Sequence, residues 1–193
     1  MVRAIVLYGL ILRGIVKMVK RQHLQSAGFT LIELTLYIAI FSVVIGAIVG
    51  LGIAATAQRV KSQVMADVTY QGEAIMAAMT QSVRDASSVT TPTLGQSSSS
   101  LTLVTPYVAT TPTVYDASSD GVRTRLRIRE GAAQTANFLT NSHVTISNLT
   151  FVNNGLTGTS GSISISFTLT YQNPTGRDEY SYSKNFFGGA NLP

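Results

Sequence analysis

The chain has 193 residues, room for one compact domain and an anchoring segment, and a formal net charge of +5. Five basic residues (Arg3, Arg13, Lys17, Lys20, Arg21) and no acid precede Gly28, whereas nine basic and nine acidic residues balance from Phe29 onward; the excess therefore belongs to an N-terminal segment and does not mark a ligand surface. The absence of cysteine excludes disulfides, thiol catalysis and Cys-ligated metals.

Residues 1–28 read as a basic leader retained on the cytoplasmic side. Two starts stay open: residues 4–12 (AIVLYGLIL) add an apolar patch, while Met18 would begin a shorter leader, MVKRQHLQSAG. From Phe29 to Ala57 the only charge is Glu33. A helix of that length reaches roughly 44 Å, against a bilayer hydrocarbon core of about 30 Å. In a secretory signal peptide the small-residue cleavage site follows the apolar run; here Ser26-Ala27-Gly28 comes before it. A cut at that point leaves the hydrophobic segment on the protein.

Residues 58–86 turn polar, but Val60, Val64, Val68, Ile75, Met79 and Val83 recur in steps that keep them on one helical stripe. The spacing predicts one helix from about Leu31 to about Ala86, membrane-spanning first and amphipathic afterwards. Gly72 weakens it by about 1 kcal/mol relative to Ala and marks a candidate soft point.

Past Ala86 the composition shifts to Ser, Thr, Gly and Pro, the residues of turns and loops. Short alternating runs predict one antiparallel sheet of four or five strands, near residues 101–104, 122–129, 143–152, 162–171 and 178–187. In the clearest, Ile163, Ile165, Phe167, Leu169 and Tyr171 share one face. Tyr180, Tyr182 and Phe186 then share a face of the returning strand. Val144 and Ile146 alternate in one phase but Leu149 and Phe151 in the other, which predicts a β-bulge near Ser147-Asn148. A sheet with one apolar face must bury it, and the stripe Val60 to Val83 is the available cover. The fold class expected is α+β: a long N-terminal helix packed on a C-terminal antiparallel sheet over 87–193.

At the head of the apolar run stands Gly28-Phe29-Thr30-Leu31-Ile32-Glu33-Leu34, following Lys20-Arg21. This stretch resembles the processing motif of type IV prepilins and of the pseudopilins of secretion and competence systems. The resemblance covers about 30 residues, and the inferred helix and sheet agree with the family plan. It implies cleavage by a prepilin peptidase between Gly28 and Phe29, methylation of the new Phe29 amine, and assembly with other pilin or pseudopilin subunits. It also implies a single-pass inner-membrane protein with its C-terminal domain outside the cytoplasm, later incorporated into a pilus or pseudopilus. A minor subunit is the form expected, since the cysteine pair of many major pilins is missing. No cofactor and no enzyme activity are implied.

A carboxylate in a membrane helix costs about 2.5–3.5 kcal/mol near the bilayer centre, so Glu33 needs a partner or a place near the interface. In the family the corresponding acid is thought to attract the N-terminal amine of a neighbouring subunit; the alternative is that Glu33 complements its own helix dipole. Gly46-Ala47-Ile48-Val49-Gly50 is a G-x-x-x-G pattern, compatible with helix bundling or with coincidence. Val122 to Arg129 alternates, with Arg123, Arg125, Arg127 and Arg129 on one face and Val122, Thr124, Leu126 and Ile128 on the other. That basic face is a solvated surface that discourages edge pairing, a DNA-binding face as in competence-type pilins, or a contact with acidic subunits; no aromatic residue is interleaved to stack bases. His143 has no Cys or His partner for a metal site, Asp178 and Glu179 would face opposite ways in a strand, and Asn148-Leu149-Thr150 matches an N-glycosylation acceptor.

Overall fold

The computed structural model describes residues 28–155 and 161–193; residues 1–27 of the expected leader lie outside them. The chain divides into two units, one ending at Val49 and one comprising Gly50–Pro193. Helix α1 (Leu31–Arg84) has residues in both.

In the first unit the apolar residues of α1 pack against no other described element. Every residue from Leu34 to Thr56 is exposed, and the helix is long and apolar enough to cross a membrane. The hydroxyls in this stretch cap locally: Ser42 donates to the carbonyl of Ile38 at 2.7 Å and Thr56 to that of Ile53 at 2.8 Å, which spares them an unpaired donor in an apolar medium.

In the second unit the helix buries Val64, Val68, Gly72, Ile75, Met79 and Val83. The stripe expected from the spacing is therefore present, with Gly72 filling its one gap. Gly72 is not a soft point. A Cβ there would fall inside the ring of Phe186, so the residue is the seat on which that ring rests against the helix backbone. Phe186 stacks in turn on Phe167, ring centroids 5.2 Å apart.

The α+β layout is as expected, but the described residues of the β part form nine strands in two antiparallel sheets: β1 (Ser88–Thr91), β2 (Ser97–Ser98), β3 (Leu101–Val104), β4 (Thr113–Ser119), β5 (Thr124–Glu130), β6 (Thr135–Phe138), β7 (Val144–Asn153), β8 (Ser162–Tyr171) and β9 (Ser183–Asn191). One sheet runs β1-β3-β4-β5-β6 and the other β2-β7-β8-β9. Both bury a face in one core, where Leu103, Tyr115 and Leu126 join Phe151, Ile163, Phe167 and the helix stripe. Each such side chain contributes about 1.5–3 kcal/mol when fully buried.

The alternation of β8 is observed: Ile163, Ile165, Phe167 and Leu169 are buried and the serines and threonines between them are not. So is the bulge. Ser147 pairs with Thr168 and Thr150 with Ser166, leaving one extra residue on β7, and Asn148 takes φ 53° there. The last strand differs from the expectation. Asp178–Tyr180 form a 3-10 turn, so Tyr180 is off the strand, and β9 runs on through Gly188-Gly189 to Asn191. Those two glycines admit close neighbours, the Met76 side chain and the Ile163 carbonyl, where a Cβ would collide.

Polar contacts tie the helix to the sheets. Gln71 accepts from the Asn141 backbone N–H at 3.1 Å and donates to Asp67 at 2.8 Å; the Ser82 and Tyr115 hydroxyls meet at 2.6 Å. Burial raises the Tyr115 phenol above its ordinary pKa and outweighs the opposing hydrogen bond with Ser82.

Candidate processing and assembly site

Residues 28–30 precede the helix. Thr30 is its N-cap: its hydroxyl accepts from the Glu33 backbone N–H at 3.3 Å, and its carbonyl takes the first helical bond from Leu34 at 3.1 Å. Thr30-Leu31-Ile32-Glu33 is thus half of a capping box, a pattern legible in the sequence as Thr-x-x-Glu that the family motif overshadowed. The Glu33 carboxylate does not complete the box. It accepts a long hydrogen bond, 3.5 Å, from the Tyr37 hydroxyl one turn along. Tyr37 also receives Phe29, whose ring stands edge-on to it with centroids 6.0 Å apart.

Tyr37 was missed by sequence reasoning, although its i+4 spacing from Glu33 was the available signal. The tyrosine engages the acid through its hydroxyl and the first aromatic residue through its ring. Glu33 keeps most of its acceptor capacity free. The Gly28–Phe29 peptide lies outside the helical hydrogen-bond ladder, Gly28 has open space around its α-carbon, and Phe29 is 73% exposed. Hydrolysis there would need no helix unwinding, and it would create an amine next to the positive end of the α1 dipole, with Glu33 as the only acid in the first turn.

The four arginines come from β5 and the turn before it, and the expected solvated face is more occupied than the alternation suggested. Arg127 and Arg129 both pair with Asp116 on β4, at 2.5 and 2.7 Å. Arg125 donates to the Thr140 carbonyl at 2.6 Å and lies 4.1 Å above the Phe138 ring. Arg123 donates to the Ser142 carbonyl and lies 3.3 Å from Asp120. It sits with Val122 in a turn, not in the strand; Val122 is 73% exposed and shares no apolar face. The Nε atoms of Arg125 and Arg129 are buried without a partner among the described residues.

Burial alone would raise the Asp116 carboxyl, but the hydrogen bond and charge of Arg127, joined by Arg129, hold it below its ordinary value. Asp120 is lowered by the backbone N–H groups of Arg123 and Val122. Asp116 and Asp120 thus offset two of the four guanidinium charges, while Glu130 falls on the other phase of β5. An aromatic residue does share this face: Phe138, opposite Arg127 on β6, with Arg125 over its ring.

His143 is exposed and stacks on Tyr171, centroids 6.1 Å apart. Asp178 and Glu179 lie in the 3-10 turn and not in a strand, and Glu179 pairs with Arg177. Asn148 lies exposed on the β7 bulge. In comparisons with known proteins, the chain matches no family model, no curated protein and no solved structure.

Proposed function

We propose that the chain is a structural subunit of the type IV pilin-like class, a minor pilin or minor pseudopilin, cut between Gly28 and Phe29 by a prepilin peptidase and assembled through its N-terminal helix. One observation carries the reading: the stretch Gly28 to Leu34 stands at the head of a 54-residue helix whose first part is apolar and exposed and whose second part is buried in a β domain. A helix divided in that way needs two environments, lipid or neighbouring helices first and its own sheets afterwards. On this reading Glu33 receives the Phe29 amine of an adjacent subunit, and the Tyr37 hydroxyl holds the carboxylate before that partner arrives. The partners are the peptidase, sister subunits and the cytoplasmic membrane. The arginines of β5 already have partners within the chain, so DNA capture gains no support from their geometry.

The test is to express the full chain with and without an active prepilin peptidase and to determine the N-terminus by mass spectrometry. The expected product begins at Phe29 and carries one added methyl group, while substitution of Gly28 by a bulky residue leaves the precursor intact. A mature chain beginning elsewhere, or an uncut chain beside a peptidase active on a control substrate, overturns the proposal.

A further inference from the structure

Strand β9 is the outermost strand of its sheet, paired along one side only. All nine residues keep register with β8 without a bulge, there is no proline, and the one charged side chain, Lys184, reaches Thr69 and covers the Phe186 ring. Among the described residues Lys184 is thus the one device of the kind by which sheets blunt an exposed edge, and it is turned onto the helix. Beside this edge α1 and β9 enclose an open groove of about 460 Å³, lined by Glu73, Met76, Ala77, Thr80, Arg84 and Phe187. It continues past Arg84 to Ala190 and Asn191. Phe187 is 77% exposed on its rim. Helix floor, unpaired strand edge and apolar rim together make a place shaped for one more strand.

Strand β6 has the complementary features. It is the outermost strand of the other sheet, and all four of its residues are exposed; among the described residues only Arg125, over the Phe138 ring, lies on its faces. The charges match in order. At the β6 start Thr135 pairs with Glu130, and at its end Phe138 lies under Arg125. Among the described residues neither Glu130 nor Arg125 has an ion-pair partner, and neither do Glu73 and Arg84 of the groove. Laid antiparallel to β9, β6 brings Glu130 toward Arg84 and Phe138 with Arg125 toward Met76, Phe187 and Glu73. Laid parallel, it would bring like charges together at both ends.

We propose that β6 of a second copy of this chain adds antiparallel to the free edge of β9 and occupies the groove. The surfaces joined are different on the two copies, so the contact is head-to-tail and repeats from copy to copy, forming an open series. The proposal rests on the strand edge and its charges and not on processing at Gly28.

The chain has no cysteine, so engineered ones report cleanly. Full-length Ala77→Cys and Ala136→Cys chains, differently tagged, are mixed in detergent and oxidised. The expected product is the mixed disulfide dimer, in excess over either like-with-like dimer. Adding Arg84→Glu to the Ala77→Cys chain should lower its yield about fivefold, and adding Glu130→Arg to the other chain should restore it. Both charges are exposed and unpaired, so neither change threatens the fold. Absence of the mixed dimer, which would mean that another occupant or no occupant covers the edge, overturns the proposal. So does a yield indifferent to these charges, which would reflect association through the apolar helix alone. The N-terminus plays no part in this assay, so its failure leaves the processing reading intact, and the reverse also holds.

Discussion

Replacing Gly72 by alanine sets two principles against each other. In an exposed helix interior the change stabilises by about 1 kcal/mol, because glycine has more backbone freedom to lose. Here three atoms of the Phe186 ring, Cζ, Cε1 and Cε2, already occupy the place where the new methyl must go. The ring cannot simply retreat: it is only 7% exposed, Phe167 stacks on it, and Lys184 lies 5.2 Å from its centroid. Overpacking of this kind costs about 1–3 kcal/mol and sometimes more. Gly72→Ala should therefore destabilise the fold despite its better helix propensity, with a net loss of up to about 2 kcal/mol. In a Phe186→Leu background, where the obstructing ring is gone, the same change should become neutral or stabilising. Thermal unfolding of the four chains by circular dichroism in detergent closes the cycle. A rise in midpoint for Gly72→Ala in the otherwise unchanged chain would refute the reasoning, because the ring would then have an alternative place.

Three further outcomes follow from the geometry. Asp116 titrates below its unfolded value, so its contribution is fully present above about pH 4 and is lost as pH falls through the lower folded value; denaturant midpoints measured down that range should drop less steeply for Asp116→Asn, which should itself cost about 1–3 kcal/mol near neutrality. Asn148 holds φ 53° at the β7 bulge, so Asn148→Val should lose about 1–2 kcal/mol while Asn148→Gly should not, as read by urea unfolding. Asn153 is buried and bridges the Pro92 carbonyl, 2.9 Å, and the Gly155 N–H, 3.1 Å; Asn153→Leu strands both groups and should cost about 1–3 kcal/mol, whereas a midpoint within error of the parent would show that water replaces the bridge.

The helix and its stripe were legible because both are local: one periodicity covers them, and a single chain segment carries the signal. The bulge was legible for the same reason, as a change of phase within β7. What escaped depends on partners distant in sequence. Strand β4 buries Thr113 and Tyr115 but carries Val114 on its other face, so no alternation shows, and its serines and aspartate resemble a loop. The division into two sheets follows from pairings such as Val114 with Arg129, which the alternation of one strand cannot specify. The expected last strand stops at residue 187 because glycine weakens a strand; the reason Gly188-Gly189 stand inside β9 lies across the fold, in Met76 and Ile163. Of the arginine face, Arg125, Arg127 and Arg129 lie in β5 as the alternation implies and Arg123 does not; Asp116, which pairs with two of them, belongs to β4, where no alternation shows. At the helix start the motif residues are legible, while Tyr37 stands in an apolar run and shows its role only through its contacts with Glu33 and Phe29.

The seat of Phe186 on Gly72 also sets a clock. The two residues are 114 positions apart, and at about 5–20 residues per second a ribosome needs roughly 6–23 s to travel from one to the other. For that interval the stripe from Val64 to Val83 is already made while the strands that cover its middle are not. Because β9 is the last of the described strands to be made, the core closes only once β9 has emerged, and until then the nascent protein carries an apolar stripe waiting for cover.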